Sequence, residues 1–278
     1  MSGGQQLTLA LALMAFAGNS LLCRLALVTT DIGPGRFTAL RLLAGALTLT
    51  LLVALRQGRG ALRWQGAGSR PAAAALLLYA GCFSYAYGMV PTATGTLLLF
   101  GAVQIGMMLH GAIRGERLGR LQAVGVGLSV GGLLWLLLPS AGSPPLPGAA
   151  LMIAAGLAWG AYSLLGRRGG DPLRSTAGNF LRTVPIALPL LAFARAEPGS
   201  WQGMGLALVA GGITSGRGYA LWYRCLPHLS ATRTATVQLS VPVLAALGAV
   251  PALGEPIRVE LLAAGVAVLG GIALARGG

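Results

Sequence analysis

Lysine is absent from this 278-residue chain, and all 20 basic residues are Arg, which we read as codon usage. Acidic residues number 6, histidines 2 and cysteines 3. Charged residues make up 9% of the chain against 55% hydrophobic, an apolar excess that excludes a soluble domain of this size. The solvent must be lipid. Cys23, Cys82 and Cys225 all fall inside apolar segments, at spacings that match neither a disulfide framework nor a metal motif. With only His110 and His228, both at membrane edges, no Ser-His-Asp set can be assembled. No Walker phosphate loop is present, which excludes transport driven by ATP hydrolysis. The chain is therefore expected to be no enzyme and to need no cofactor or metal. A formal net charge of +14 suggests nucleic acid as a partner. The arginines, however, lie in short linkers between apolar segments, the pattern of membrane topology, so none is expected.

What is abundant is apolar sequence and glycine, with Gly 44 recurring inside the apolar runs where it lets helix backbones approach closely. Segments long enough to cross ~30 Å of hydrocarbon lie near 7–28, 36–55, 71–90, 92–113 and 119–138. Five more follow the Pro139–Pro145 break, near 147–166, 174–195, 202–223, 229–250 and 257–276. The first segment lacks a basic leader region and stays apolar to Val28, so it reads as a span and not as a cleaved signal. Basic residues in short loops stay cytoplasmic. With the N-terminus inside, Arg56, Arg59, Arg63, Arg70, Arg114, Arg117, Arg120, Arg167, Arg168, Arg174, Arg224, Arg233 and Arg276 face the cytoplasm. Only Arg36, Arg195 and Arg258 lie in outer connections, near Asp31, Glu197 and Glu255. Both termini are expected to be cytoplasmic.

The halves match where one helix passes into the next: Gly115-Glu116 aligns with Gly254-Glu255, and the same offset carries Gly131-Gly132 onto Gly270-Gly271. Pro91 and Pro227 hold similar places before the preceding helix. Two such matches in register predict a duplication. With five spans per half, the first Gly-Glu falls inside and the second outside, which makes the repeat inverted. The expected fold is an all-α integral membrane protein of ten transmembrane helices in two inverted five-helix repeats, residues 1–140 and 141–278.

The Gly-Glu turns, each followed by a glycine-containing final helix, resemble the drug/metabolite transporter superfamily, EamA type. The resemblance covers nearly the whole chain, and the ten-helix bacterial aromatic amino-acid exporters of the YddG kind are the nearest comparison. The first half lacks a proline matching Pro242. The resemblance implies a central cavity lined by helices 1 to 4 and 6 to 9, with helices 5 and 10 peripheral.

Asp31, Glu116, Asp171, Glu197, Glu255 and Glu260 all fall in loops or at helix ends, leaving no mid-membrane carboxylate to carry a proton. Glu116 and Glu255 are expected to cap the helices they begin. Four arginines interrupt spans. The plain reading of Arg24, Arg41, Arg182 and Arg217 is snorkelling to the nearer interface; the functional one has Arg24 holding a substrate carboxylate or phosphate. Uncharged polar residues at mid-membrane depth form stripes: Asn19 with Ser20 and Cys23, then Thr96, Phe100, Gln104 and Met108, then Thr234, Gln238 and Pro242. Either they bond between helices or they line a cavity. Tyr79, Phe83, Trp159 and Tyr219 lie deep enough to form an aromatic pocket, whereas Tyr87, Trp222 and Tyr223 read as interfacial belt residues. Gly211-Gly212 with Thr214-Ser215-Gly216, and Pro185 with Pro189, mark places where helices can lose regularity.

The expectation is a bacterial inner-membrane exporter of small metabolites, with aromatic or large neutral amino acids preferred from the resemblance and the deep aromatics. It would work by alternating access without proton coupling, as a monomer or homodimer in the bilayer. Asn19, Gln104, Gln238 and Arg24 would contact the polar end of the substrate, and Tyr79, Phe83, Trp159 and Tyr219 the apolar end. An anionic sugar phosphate or nucleotide sugar is the alternative.

Overall fold

The structure, a computed structural model, describes residues 3–62, 67–113, 119–137, 143–166, 170–194, 199–229, 237–238 and 240–274. Expectations placed on Gly115-Glu116, Glu197, Thr234, and on the arginines at 63, 114, 117, 167, 168, 195, 233 and 276, lie outside these residues. The described chain is helical. The elements are α1 (Gly3–Thr29), α2 (Pro34–Gln57), α3 (Arg70–Tyr87), α4 (Thr92–Ile113), α5 (Arg120–Leu137), α6 (Leu146–Gly166) and α7 (Pro172–Phe193). Then α8 runs over 201–225, and α9 (Ser240–Leu253) and α10 (Val259–Leu274) follow. Of these, α1, α2, α4, α6 and α7 are long and apolar enough to cross a membrane, and shorter apolar helices lie within α5, α9 and α10.

Local chemistry sets the helix starts. Proline occupies the first turn of α2, α3 and α7, where its missing N–H is not needed. The side chains of Ser69, Asp171 and Ser200 accept from the backbone N–H groups of Ala72, Arg174 and Gly203 at 3.2, 2.9 and 3.0 Å. The outer surface is a belt of bare apolar side chains, among them Leu47, Leu55, Ile113, Phe193, Trp201 and Val266. A surface of this kind is stable only against lipid. The chain is a membrane protein.

Helices of the two halves pack in matched ways. The contact of α3 with α6 has its counterpart in α8 with α1, and α4 on α6 corresponds to α9 on α1. Apart from the contact of α2 with α8, the remaining large contacts join counterparts directly, α2 with α7 and α5 with α10. These pairs run antiparallel. Arg36 at the start of α2 donates to the Ala194 carbonyl beyond the end of α7 at 2.8 Å, while Gln57 at the far end of α2 donates to Asp171 before α7 at 2.6 Å. Between α5 and α10, the Ser129 hydroxyl donates to the Val268 carbonyl at 3.1 Å, between residues 139 apart in sequence. A methyl group on Gly132 would strike Ala267, and one on Gly271 would strike Gly125 and Ser129. Of the glycines matched in the sequence, Gly132 and Gly271 are therefore places where the two final helices approach closely, while Gly131 and Gly270 face open space. Besides each other, α5 and α10 contact α4, and they stand outside the aromatic centre.

The first turns of α2 and α7 also share a pattern, Pro34-Gly35-Arg36-Phe37-Thr38-Ala39 against Pro172-Leu173-Arg174-Ser175-Thr176-Ala177. The hydroxyls of Thr38 and Thr176 donate to the carbonyls of Pro34 and Pro172 at the same 2.7 Å. Continuing that alignment places Arg41 opposite Asn179.

One helix departs from α geometry. In α8, Trp201–Val209 and Gly218–Cys225 are α-helical, but Ala210–Arg217 between them is a π-helix. By contrast, α7 stays one helix through Pro185 and Pro189. The π-turn is pressed against α2, since a methyl group on Gly211 would strike the Arg41 carbonyl and the Ala44 side chain. Such bulges in membrane helices recur where function needs irregular backbone buried in protein.

Candidate functional site

Where α1, α3, α6 and α8 converge, side chains expected on separate stripes meet. The Asn19 amide donates to the Tyr79 hydroxyl at 3.0 Å, and the Tyr219 hydroxyl donates to the same oxygen at 3.1 Å. Tyr79 and Tyr219 are 140 residues apart, and the same spacing carries Phe83 onto Tyr223. The Asn19 carbonyl oxygen accepts from Ser215 at 3.1 Å and Thr214 at 3.3 Å. The π-turn of α8 is thus held on its glycine face by α2 and on its hydroxyl face by α1. Trp159 donates its indole N–H to the Gln238 oxygen at 2.8 Å, which ties α6 to the residues leading into α9.

The rings form one cluster. Trp159 lies 4.7 Å from Tyr219, 5.0 Å from Tyr79 and 5.1 Å from Phe16, and Tyr79 lies 5.1 Å from Phe83. Edge-on and tilted pairings of this kind add to simple burial. Phe16 was not singled out in the sequence, where an apolar ring on an apolar helix carries no signal. Its contacts with Trp159, Tyr219 and Trp222 place it at the centre.

Three rings read as interfacial are instead buried. Tyr87 packs edge-on against Phe83 at 4.7 Å, Trp222 donates to Ser163 at 3.2 Å, and Tyr223 donates to the Tyr162 carbonyl at 3.1 Å. Proximity to a helix end does not expose a side chain when the neighbouring helix extends past it.

The arginines divide. Arg217 is exposed, as snorkelling requires. Arg182 donates to the carbonyls of Gly178, at 2.8 Å, and Ala67, and so fastens the connection before α3 onto α7. Arg24 is held at the end where α4 begins: its Nε pairs with Glu255 at 2.8 Å and its Nη1 donates to the Tyr87 carbonyl at 2.8 Å. The other Glu255 oxygen accepts from the backbone N–H of Thr92 at 2.7 Å. Glu255 does cap a helix, but that helix is α4 and not the one it precedes, because the chain folds Glu255 back over the α4 N-terminus.

Arg41 does not snorkel. It is 1% exposed, with its guanidinium carbon 5.0 Å from the Phe83 ring and 5.5 Å from Tyr79. Its Nε and Nη1 have no hydrogen-bond partner, and neither does Oε1 of Gln104, which is 5% exposed on α4.

The cluster is closed. A cavity of about 10 Å³, lined by Phe16, Ser20, Tyr79, Phe83, Phe100 and Trp159, lies within it, room for about one water molecule. A larger cavity of about 220 Å³ lies beside Arg24, Thr94, Glu255 and Arg258, at the end where α4 begins. Among the described residues no three His, Cys, Asp or Glu side chains gather as a metal site needs.

The model of the EamA-like transporter family matches the chain twice, over residues 5–138 and 146–277. A protein of Pseudomonas aeruginosa, named only as uncharacterized protein PA1977, is 55% identical over 270 residues, covering 95% of this chain and 91% of its own. A solved structure named only "Crystal structure of protein" aligns with a TM-score of 0.64 at 24% identity, covering 96% of each chain, and so shares the fold. The twofold family match, on a helical membrane bundle, places the chain among membrane transporters. The chain belongs to the EamA-like transporter family.

Proposed function

We propose that this protein is a ten-span carrier of the bacterial inner membrane that exports aromatic or large neutral amino acids by alternating access. The antiparallel pairing of α2 with α7 and of α5 with α10 supports two inverted repeats, since an odd number of spans per half reverses the second copy. The arginine distribution supports cytoplasmic termini, and the Pseudomonas relative supports a bacterial inner membrane.

The observation that carries the substrate reading is the cluster of Trp159, Tyr79, Tyr219 and Phe83 joined to the amides of Asn19 and Gln238. Aromatic faces suit a large apolar side chain, and the amides suit its polar end. In the closed state these groups satisfy one another; a substrate enters when they part. The π-turn of α8, whose hydrogen bonds to Asn19 join it to the rings, supplies a place to bend. No described carboxylate lies among the rings, which favours facilitated diffusion over proton coupling. A sugar phosphate or nucleotide sugar calls for paired cations at the centre, and Arg24 is engaged by Glu255 instead.

Counterflow in proteoliposomes tests the reading. Vesicles loaded with unlabelled phenylalanine should accumulate labelled phenylalanine or tryptophan at a rate indifferent to a pH gradient. Exchange of a sugar phosphate with inert amino acids would overturn it.

A further inference from the structure

We infer that Arg41 and Gln104 form a two-pronged subsite that takes the carboxylate and the ammonium of a zwitterionic substrate. The inference rests on the amino-acid reading above and assigns the recognition of the charged end, which the sequence had given to Arg24 together with Asn19, Gln104 and Gln238. A buried cation is costly unless paired and hydrogen-bonded. Arg41 is 1% exposed, its Nε and Nη1 are unpartnered, and the faces of Phe83 and Tyr79 lie against its guanidinium. Cation–π contact offsets part of that cost and leaves the donor edge of the guanidinium open. Structural arginines in this protein look different: Arg182 and Arg24 both have carbonyl or carboxylate partners.

Gln104 supplies the complement. Its Oε1 is an unpartnered acceptor in a residue 5% exposed. It lies one helical turn along α4 from Phe100, which lines the central cavity together with the same Tyr79 and Phe83 that lie under Arg41. An unfilled donor pair thus lies over two of the rings that line the cavity, and an unfilled acceptor lies one helical turn from a third. A carboxylate can accept two hydrogen bonds from the guanidinium, and an ammonium can donate to the amide oxygen. The hydroxyls of Thr50, Tyr87, Thr92 and Tyr162 are open as well, but a carboxylate and an ammonium are the partners that the Arg41 donors and the Gln104 acceptor call for. Tyr79 also accepts from Asn19, which accepts from Ser215 in the π-turn, so neutralising Arg41 over the Tyr79 ring reaches the irregular part of α8 through two hydrogen bonds.

The test separates the two charged ends. Full-length protein in detergent is heated with phenylpropionate, which has the carboxylate alone, or with phenethylamine, which has the ammonium alone, and phenylalanine counterflow is followed in parallel. Both probes should raise the melting temperature of the unaltered protein. In Arg41→Gln the rise with phenylpropionate should vanish and that with phenethylamine persist; in Gln104→Leu the pattern should reverse. Both variants should lose at least tenfold in phenylalanine counterflow. Arg41→Lys keeps the charge without the fork, guards against a folding failure, and should need several-fold more phenylpropionate for the same rise. Equal stabilisation of Arg41→Gln and unaltered protein by phenylpropionate, with phenylalanine counterflow intact, overturns the inference and leaves the proposed function standing. An unaltered protein that carries no amino acid, yet is stabilised by phenylpropionate only when Arg41 is present, overturns the amino-acid reading and leaves the carboxylate prong. Stabilisation of the unaltered protein by neither probe overturns both prongs.

Discussion

Arg41 on α2 and Asn179 on α7 occupy matching places in the two halves, and their surroundings differ. Asn179 is satisfied: its oxygen accepts from the Ser69 backbone N–H at 2.9 Å, and its amide donates to the Tyr223 hydroxyl at 3.4 Å. Arg41 lies over Phe83, the counterpart of Tyr223, and its Nε and Nη1 find no partner. The backbones differ in the same sense. Beside Asn179, α7 meets the Ala67–Ser69 connection, where Gly68 has φ +68° and no room for a side chain. Beside Arg41, α2 meets the π-turn of α8. The scaffold occurs twice, and among the described residues the first copy sets a buried guanidinium with unpartnered nitrogens next to an irregular helix. A polar group retained for structure acquires partners; one retained for a ligand leaves them open.

The largest effect is expected where backbones touch. Gly211→Ala drives a methyl group into the Arg41 carbonyl, and overpacking of this kind costs about 3 kcal/mol. The melting temperature in detergent should fall by many degrees, and an unchanged value would show that the π-turn is free to shift off α2. Next comes the direct contrast. Asn179→Leu leaves the Ser69 N–H unsatisfied and should cost about 2 kcal/mol. Arg41→Met removes an unpaired buried charge and should leave the melting temperature unchanged or higher. Equal destabilisation by both would break the comparison.

A smaller effect is expected at the end where α4 begins. Glu255→Gln weakens the tie to Arg24 and to the Thr92 N–H, worth about 1.5 kcal/mol for charge-assisted bonds. A cysteine introduced at Thr94, which lines the neighbouring cavity, should then react several-fold faster with a membrane-impermeant maleimide added outside. No change in rate would show that this tie does not hold that end closed. The smallest effect is Ser215→Ala, which removes one of two hydroxyl donors to Asn19 and should lower stability by about 0.5–1 kcal/mol in the same melting assay.

Several helix positions were legible because hydrophobic length reports membrane crossing directly, whereas the span expected near 229–250 is a described helix over Ser240–Leu253. The span expected near 92–113 is α4 to the residue, and 147–166 is α6 extended by one. The glycine register was legible too, since Gly132 and Gly271 are where α5 and α10 meet. The polar and aromatic candidates Asn19, Tyr79, Phe83, Trp159, Tyr219 and Gln238 do converge, because polar groups at that depth must find partners inside the bundle. Periodicity within a helix says which residues share a face, and nothing about which helix that face meets. The pairing of Arg24 with Glu255, the burial of Arg41, the central place of Phe16 and the α4 cap made by Glu255 each join residues far apart in the chain, and each depends on how the helices pack. Composition and periodicity alone determined that this is a helical membrane protein with a repeated plan, because lipid solvation acts on every residue one at a time. Which charge is paired and which stays open was decided by tertiary structure, because a hydrogen bond depends on distance and direction between groups that only the folded bundle brings together.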